Sequence, residues 1–169
     1  MRQLKTNCVL IVSPRLVAEL PTGRLAGIDY GTVRVGIAVT DARQTLASPY
    51  VIYARTNPPA DAEFFQRFVA EEKIVGLVVG LPVHLDGRES AKSREAREFG
   101  QWLAGATGLP VAFFDERFTT AEANQFLGAL RLTKKQRKAR RDKLAAQIML
   151  AAYLESSSSR GEPQRLDDR

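Results

Sequence analysis

Apolar and polar positions alternate, run together or recur at helical spacing in a sequence of distinct blocks along the chain. Leu25, Ile28, Val33, Val35, Ile37 and Val39 fit two short strands, and Gly31 sits where they reverse direction, because glycine tolerates turn dihedrals that other residues resist. Tyr50-Val51-Ile52-Tyr53 reads as a third strand that closes a meander at the sheet edge, and Asn57-Pro58-Pro59 stops it. Residues 61–72 place Phe64, Phe65, Phe68 and Val69 at helical spacing with Asp61 as the cap, and those aromatics read as core packing rather than a base-stacking platform. Ile74 to Pro82 is apolar without alternation, as expected of a parallel strand buried on both faces by helices.

A loop, Val83-His84-Leu85-Asp86-Gly87-Arg88-Glu89, leads into a helix from Ser90 to Leu103 with Phe99, Trp102 and Leu103 as its core contacts. Gly105 and Gly108-Leu109-Pro110 end it, and Val111-Ala112-Phe113-Phe114 is the next buried strand. Thr119 and Glu122 form a capping-box pattern, which predicts a helix from Thr119 to about Leu130 and makes Glu122 structural. A last helix runs through about Glu155 with Leu144, Ala145, Ile148, Met149 and Ala152 as its apolar residues. The expected fold is therefore α/β: a mixed five-stranded sheet, an antiparallel three-strand meander plus two parallel strands, flanked by helices. It occupies residues 24–155, after an N-terminal extension over 1–23 and before a disordered polar tail over 156–169 that opens with four serines.

Composition adds partners and compartment to this picture. With 169 residues the chain suits one domain. Its 25 Lys+Arg against 19 Asp+Glu make polyanions, nucleic acid first, the natural partners. One cysteine, Cys8, and one histidine, His84, exclude an internal disulfide, a Cys/His zinc cluster and a Ser-His pair with a spare histidine, so any metal is held by oxygen. No apolar run reaches the roughly 20 residues of a membrane span, and Pro14 and Arg15 cut short the Cys8–Val12 patch, so a cytoplasmic protein that does not enter membranes is expected.

Asp29 stands out because an aspartate within an apolar, β-prone run is costly to bury unless it is paired or binds a metal. An Asx-type turn is the competing account of it. In open α/β sheets ligands gather outside the carboxyl ends of the parallel strands, which singles out Asp29, the Asp115-Glu116 pair and Asp142 at the first turn of the last helix. On that helix Asp142 shares a face with Ala145, Ala146 and Met149; its competing role is a carboxylate favoured by the helix dipole. Three carboxylates converging there would form an all-oxygen site for Mg²⁺ or Mn²⁺, and paired ions of this kind, about 4 Å apart, hydrolyse phosphodiesters without histidine or cysteine. Eight basic residues crowd positions 131–143, among them Lys134, Lys135, Arg137, Lys138, Arg140 and Arg141, against the single acid Asp142. Such a run supplies phosphate contacts, or else a solvated face. His84 reads as a loop histidine outside the chemistry.

These segments carry a resemblance. Gly27 to Gly36, Val79-Gly80-Leu81-Pro82 with Asp86-Gly87, Asp115-Glu116-Arg117-Phe118-Thr119-Thr120, and Asp142 with Ala145-Ala146 and Tyr153-Leu154-Glu155 occur in the order of the YqgF/RuvX family of resolvases, in the ribonuclease H-like superfamily. The resemblance covers roughly residues 24–155. It implies the ribonuclease H-like fold and a metal-dependent nuclease that acts on structured nucleic acid, either the 5′ end of precursor 16S ribosomal RNA or a four-way Holliday junction. By position it implies Asp29, Glu116 and Asp142 as catalytic metal ligands; Arg34 and Arg117 read as phosphate contacts, with an internal salt bridge as the equal alternative for Arg117, and Asp115 is the less certain of its pair. A junction resolvase is expected to be a two-fold dimer, whereas an RNA trimmer can act as a monomer. Two other classes compete: a ribosome assembly factor that binds nucleic acid without cleaving it, and an actin-like or sugar-kinase-like ATPase, for which the chain is too short.

Overall fold

The computed structural model describes residues 20–82, 90–115 and 134–158, with the backbone alone at 134–143 and 158. The described strands are β1 (Arg24–Asp29), β2 (Arg34–Thr40), β3 (Ala47–Ala54), β4 (Ile74–Leu81) and β5 (Val111–Asp115). The described helices are α1 (Pro58–Glu71), α2 (Ala91–Thr107) and α3 (Lys134–Ser158). The sheet order is β3-β2-β1-β4-β5. Antiparallel pairs β1/β2 and β2/β3 form the expected meander, and β4 and β5 extend it in parallel from β1. The carboxyl ends of β1, β4 and β5 therefore share one edge of the sheet.

Period-two alternation sends the side chains of these strands into two cores. Ala26, Ile28, Val35, Ile37, Leu77, Val79, Val111 and Phe113 meet α1 and α2 through Phe65, Phe68, Phe99 and Leu103. Leu25, Ala38, Val78, Ala112 and Phe114 meet α3 through Ala146, Met149, Leu150 and Tyr153. Strand β4 contributes to both, which accounts for its unbroken apolar run. The aromatics of α1 pack as expected: Phe65 and Phe68 are buried, and Phe64 stacks on Tyr53 with centroids 3.9 Å apart.

Several boundaries differ from the sequence expectation for identifiable reasons. Strand β3 is longer, and its register skips Tyr50 between Val51 and Pro49. That bulge on an edge strand accommodates a proline and turns Tyr50 onto Phe68, 5.0 Å away between centroids. Asp61 is not the cap of α1. Asn57 is, its Oδ1 accepting the Ala60 N–H at 3.0 Å, with prolines in the first helical positions. Asp61 instead lies inside the helix, 1% exposed, and accepts from the Tyr53 hydroxyl (2.8 Å), the Thr56 N–H (3.0 Å) and Arg55 Nε (3.1 Å).

Helix α2, expected from Ser90, has Ser90 as its cap, accepting the Ser93 N–H and donating to the Pro82 carbonyl. At the other end only Gly108 stops the helix, in the left-handed conformation at φ 71°, while Gly105 stays helical. Helix α3 includes residues from Lys134 on, so the basic stretch from there has helical backbone and Asp142 lies two turns inside the helix rather than in its first turn. Leu20 packs against the α3 core, and Gln44 Nε2 holds the Pro21 and Gly23 carbonyls. Outside the described residues lie the loop with His84, the helix expected from Thr119, and positions 1–19 and 159–169; the serines at 156–158, expected to open a disordered tail, instead continue α3. No described helix is long and apolar enough to cross a membrane.

Candidate active site

Asp29 ends β1 opposite Gly36 of β2. It follows Leu25 and Gly27 in the alternation, so its side chain is on the α3 face, half-buried. Two glycines let α3 come down onto this point. A Cβ at Gly27 would stand 2.8 Å from Leu150 Cβ and 3.2 Å from the Ala146 carbonyl oxygen, so the helix rests on bare strand backbone there. The space a Cβ would take at Gly36 is flanked by Asp29 Cβ (3.4 Å), Asp29 Oδ2 (3.6 Å) and Ala146 Cβ (3.5 Å). Asp29 and the small residue Ala146 thus border the same space over Gly36.

This seating is tight enough to test. Gly27→Ala is expected to lower unfolding free energy by about 1–3 kcal/mol, because the new methyl meets Leu150 near its Cβ and the α3 backbone, which cannot swing away as a side-chain tip can. Urea denaturation checks it; a decrease under about 0.5 kcal/mol would contradict the contact. Gly36→Ala, with only ordinary contacts waiting, serves as the comparison.

The course of α3 relates Asp142 to this point. From Leu150, over Gly27, to Ala146, beside Gly36, the helix travels toward the carboxyl end of β1. Asp142 lies one turn further in the same direction, about 6 Å of helical rise from Ala146. The basic positions Lys134, Lys135, Arg137, Lys138, Arg140 and Arg141 occupy the helical backbone beyond it.

The Asp115-Glu116 pair divides on strand geometry. Phe113 belongs to the α1/α2 core and Phe114 to the α3 core, so Asp115 falls on the α1/α2 face, opposite to Asp29. Its register partner is Leu81 of β4, itself in the α1/α2 core. Glu116 and Arg117 lie outside the described residues. Arg34 opens β2 and is exposed, at the foot of the turn that leaves Asp29. Among the described residues no group of three metal-ligating side chains assembles; of the three expected ligands, Asp29 alone has its side chain described. What reasoning from sequence missed is the support beneath this turn, Arg55 and Asp61. Arg55 carried no local signal, and Asp61 carried only that of a helix cap, which hid its pairing with Arg55, Thr56 and Tyr53.

Comparison with known proteins follows the same outline. The profile of the RuvX family, described as a Holliday junction resolvase, matches residues 23–156. A Rhodopirellula baltica protein named "Putative pre-16S rRNA nuclease" is 48% identical over 141 residues, 83% of this chain and 82% of its own. One of the same name from Sphingopyxis alaskensis is 37% identical over 149 residues, 88% of this chain and 97% of its own. Among solved structures, Thermus thermophilus RuvC in complex with a Holliday junction substrate superposes with a TM-score of 0.55 at 16% identity, covering 83% of this chain and 99% of that one. At that identity the likeness speaks for the fold, which is the RuvC-type, ribonuclease H-like arrangement.

Proposed function

The chain belongs to the RuvX family of Holliday junction resolvases, and from that premise we propose that it is a divalent-metal-dependent nuclease that processes the 5′ end of precursor 16S ribosomal RNA. The observation that carries the reading is that Asp29 and Ala146 of α3 border the same space over Gly36. An acid at the end of an otherwise apolar strand is joined there by a helix whose preceding turn holds Asp142. Glu116, the acid of the Asp115-Glu116-Arg117 segment, is the third ligand that the family resemblance implies. Carboxylate oxygens are the donor set that hard Mg²⁺ or Mn²⁺ accepts. Bound there, such ions supply an activated water and charge stabilisation on the leaving oxygen of a phosphodiester.

The chain's own part is to hold and orient. Asp29, Glu116 and Asp142 fix the ligand geometry from a strand end, a second strand end and a helix. Arg34 and Arg117 flank them as phosphate contacts, and the basic positions of α3 track the substrate backbone. Replacing Lys134, Lys135, Arg137 and Lys138 by Gln is expected to weaken binding of all sequences alike. The slope of log K against log salt should flatten by roughly 0.7 for each phosphate of single-stranded RNA that the variant no longer neutralises. An unchanged slope in a filter-binding titration would put the phosphate-binding groups elsewhere.

The family's own description favours a second reading, cleavage of a four-way DNA junction, for which a two-fold dimer is the working unit. Purified protein offered a labelled precursor 16S 5′ fragment and a four-way junction side by side, with Mg²⁺ or Mn²⁺, separates the two. Selective trimming of the RNA is the expected result, and selective cutting of the junction installs the second reading. Salt-sensitive binding of both with no cleavage of either would leave a non-catalytic assembly factor.

A further inference from the structure

The carboxylate of Asp29 is on the α3 face of the sheet, yet the turn that follows it is held from the other face, by a group with no place in the chemistry above. Arg55, just past β3, donates its backbone N–H to the Val33 carbonyl at 3.0 Å, which ties it to the turn between β1 and β2. Its guanidinium carbon stands 4.8 Å from the centroid of the Phe99 ring and 5.7 Å from that of Tyr30, the residue next to Asp29. Tyr30 and Phe99 themselves are 4.9 Å apart between centroids. The cation is anchored from α1, its Nε donating to Asp61 Oδ2 at 3.1 Å. The turn it clamps is a closed one, since Gly31 has no room for a Cβ against the Arg34 carbonyl oxygen.

We propose that Arg55 is a positioning residue for the nuclease site: pinned by Asp61 and laid over Tyr30 and Phe99, it fixes the β1–β2 turn and so the attitude of the Asp29 carboxylate toward α3. The proposal rests on the nuclease reading. A packing role alone does not need this pair, because replacing a buried ion pair with apolar residues of similar volume is often neutral or stabilising. What a planar guanidinium adds is orientation: it stacks on a ring face and offers a fixed donor edge, which neither an apolar residue nor a lysine reproduces. Groups hydrogen-bonded to a metal ligand commonly alter metal affinity or activity 10–100-fold when removed, and Arg55 acts one residue further out, through Tyr30, which places its effect at the lower end of that range.

The test uses the full chain and the variants Asp29→Asn, Arg55→Met, Arg55→Lys and Tyr30→Leu, each checked for folding by its melting curve. Mn²⁺ affinity is measured by electron paramagnetic resonance without substrate, and kcat and KM are measured with the precursor RNA fragment. Arg55→Met is expected to weaken Mn²⁺ binding by about 10-fold and to lower kcat with KM little changed. Arg55→Lys falls between it and the wild type, and Tyr30→Leu shifts in the same direction; if Arg55→Met does not fold, these two decide. Mn²⁺ affinity within twofold of wild type in the folded variants overturns the proposal. So does a raised KM with unchanged kcat, which would make Arg55 a substrate-binding group. If Asp29→Asn and wild type bind Mn²⁺ alike, the metal reading of the site fails along with it. Loss of binding in Asp29→Asn alone leaves that reading intact and removes only the role of Arg55.

Discussion

Asp29→Asn is expected to lower metal-dependent cleavage by about a thousandfold, or ~4 kcal/mol of transition-state stabilisation. The amide keeps the size and one acceptor oxygen of the carboxylate but removes the negative charge, so a hard cation loses its strongest donor while the fold loses little. That separation follows from the position of the side chain. It is half-buried at a strand end, opposite Gly36, so an isosteric amide fits the same space. Single-turnover cleavage at saturating Mg²⁺ measures the first effect, and a urea midpoint within about 1 kcal/mol of wild type the second. Activity retained within tenfold would remove Asp29 from the site.

Asp61→Ala should cost about 3 kcal/mol of stability, which for a chain of this size corresponds to a melting temperature lower by roughly 6–12 °C. Three donors lose their acceptor at once, the Tyr53 hydroxyl, the Thr56 N–H and Arg55 Nε, and the Arg55 charge, 24% exposed, is left without its counterion. The same group sets part of the acid limit. Burial works against ionisation of Asp61, but the Thr56 N–H, the Tyr53 hydroxyl and Arg55 outweigh it and hold the carboxyl below its ordinary value. A depressed value in the folded state means that the stabilisation is complete above the unfolded value near 3.9 and is lost as pH falls through the folded one. Stability of wild type should therefore fall more steeply than that of Asp61→Ala below about pH 4. The part left in the variant includes Asp41, whose carboxyl is lowered to about 2 by the Leu46 and Thr45 N–H groups. Parallel acid profiles for the two proteins would contradict this assignment.

Much of this molecule was legible along the chain because local pattern encodes burial. The unbroken apolar run of β4, the helical spacing of Phe64, Phe65 and Phe68 and the turn at Gly31 each follow from what a residue and its near neighbours require. Together they yield the order of the elements, the mixed sheet, and Asp29 as an acid with an unusual address. Local pattern does not say which distant groups will meet. Asp61 read as a cap because an acid near a helix start looks like one, and its real partners became visible only once β3 lay against α1. Gly105 resembled a stop, but Gly108 alone takes the left-handed conformation that ends the helix.

By itself, then, the sequence determined the elements, their order, the α/β class and the acids to suspect, since each depends on periodicity or residue chemistry within about a dozen positions. Only the tertiary structure decided that α3 settles on Gly27 and Gly36 beside Asp29, that Asp115 faces away from Asp29, and that Arg55 braces the turn from behind. Those contacts join residues as much as 123 positions apart, as Gly27 and Leu150 are, and depend on the packing of one surface into another, which no short stretch of chain specifies.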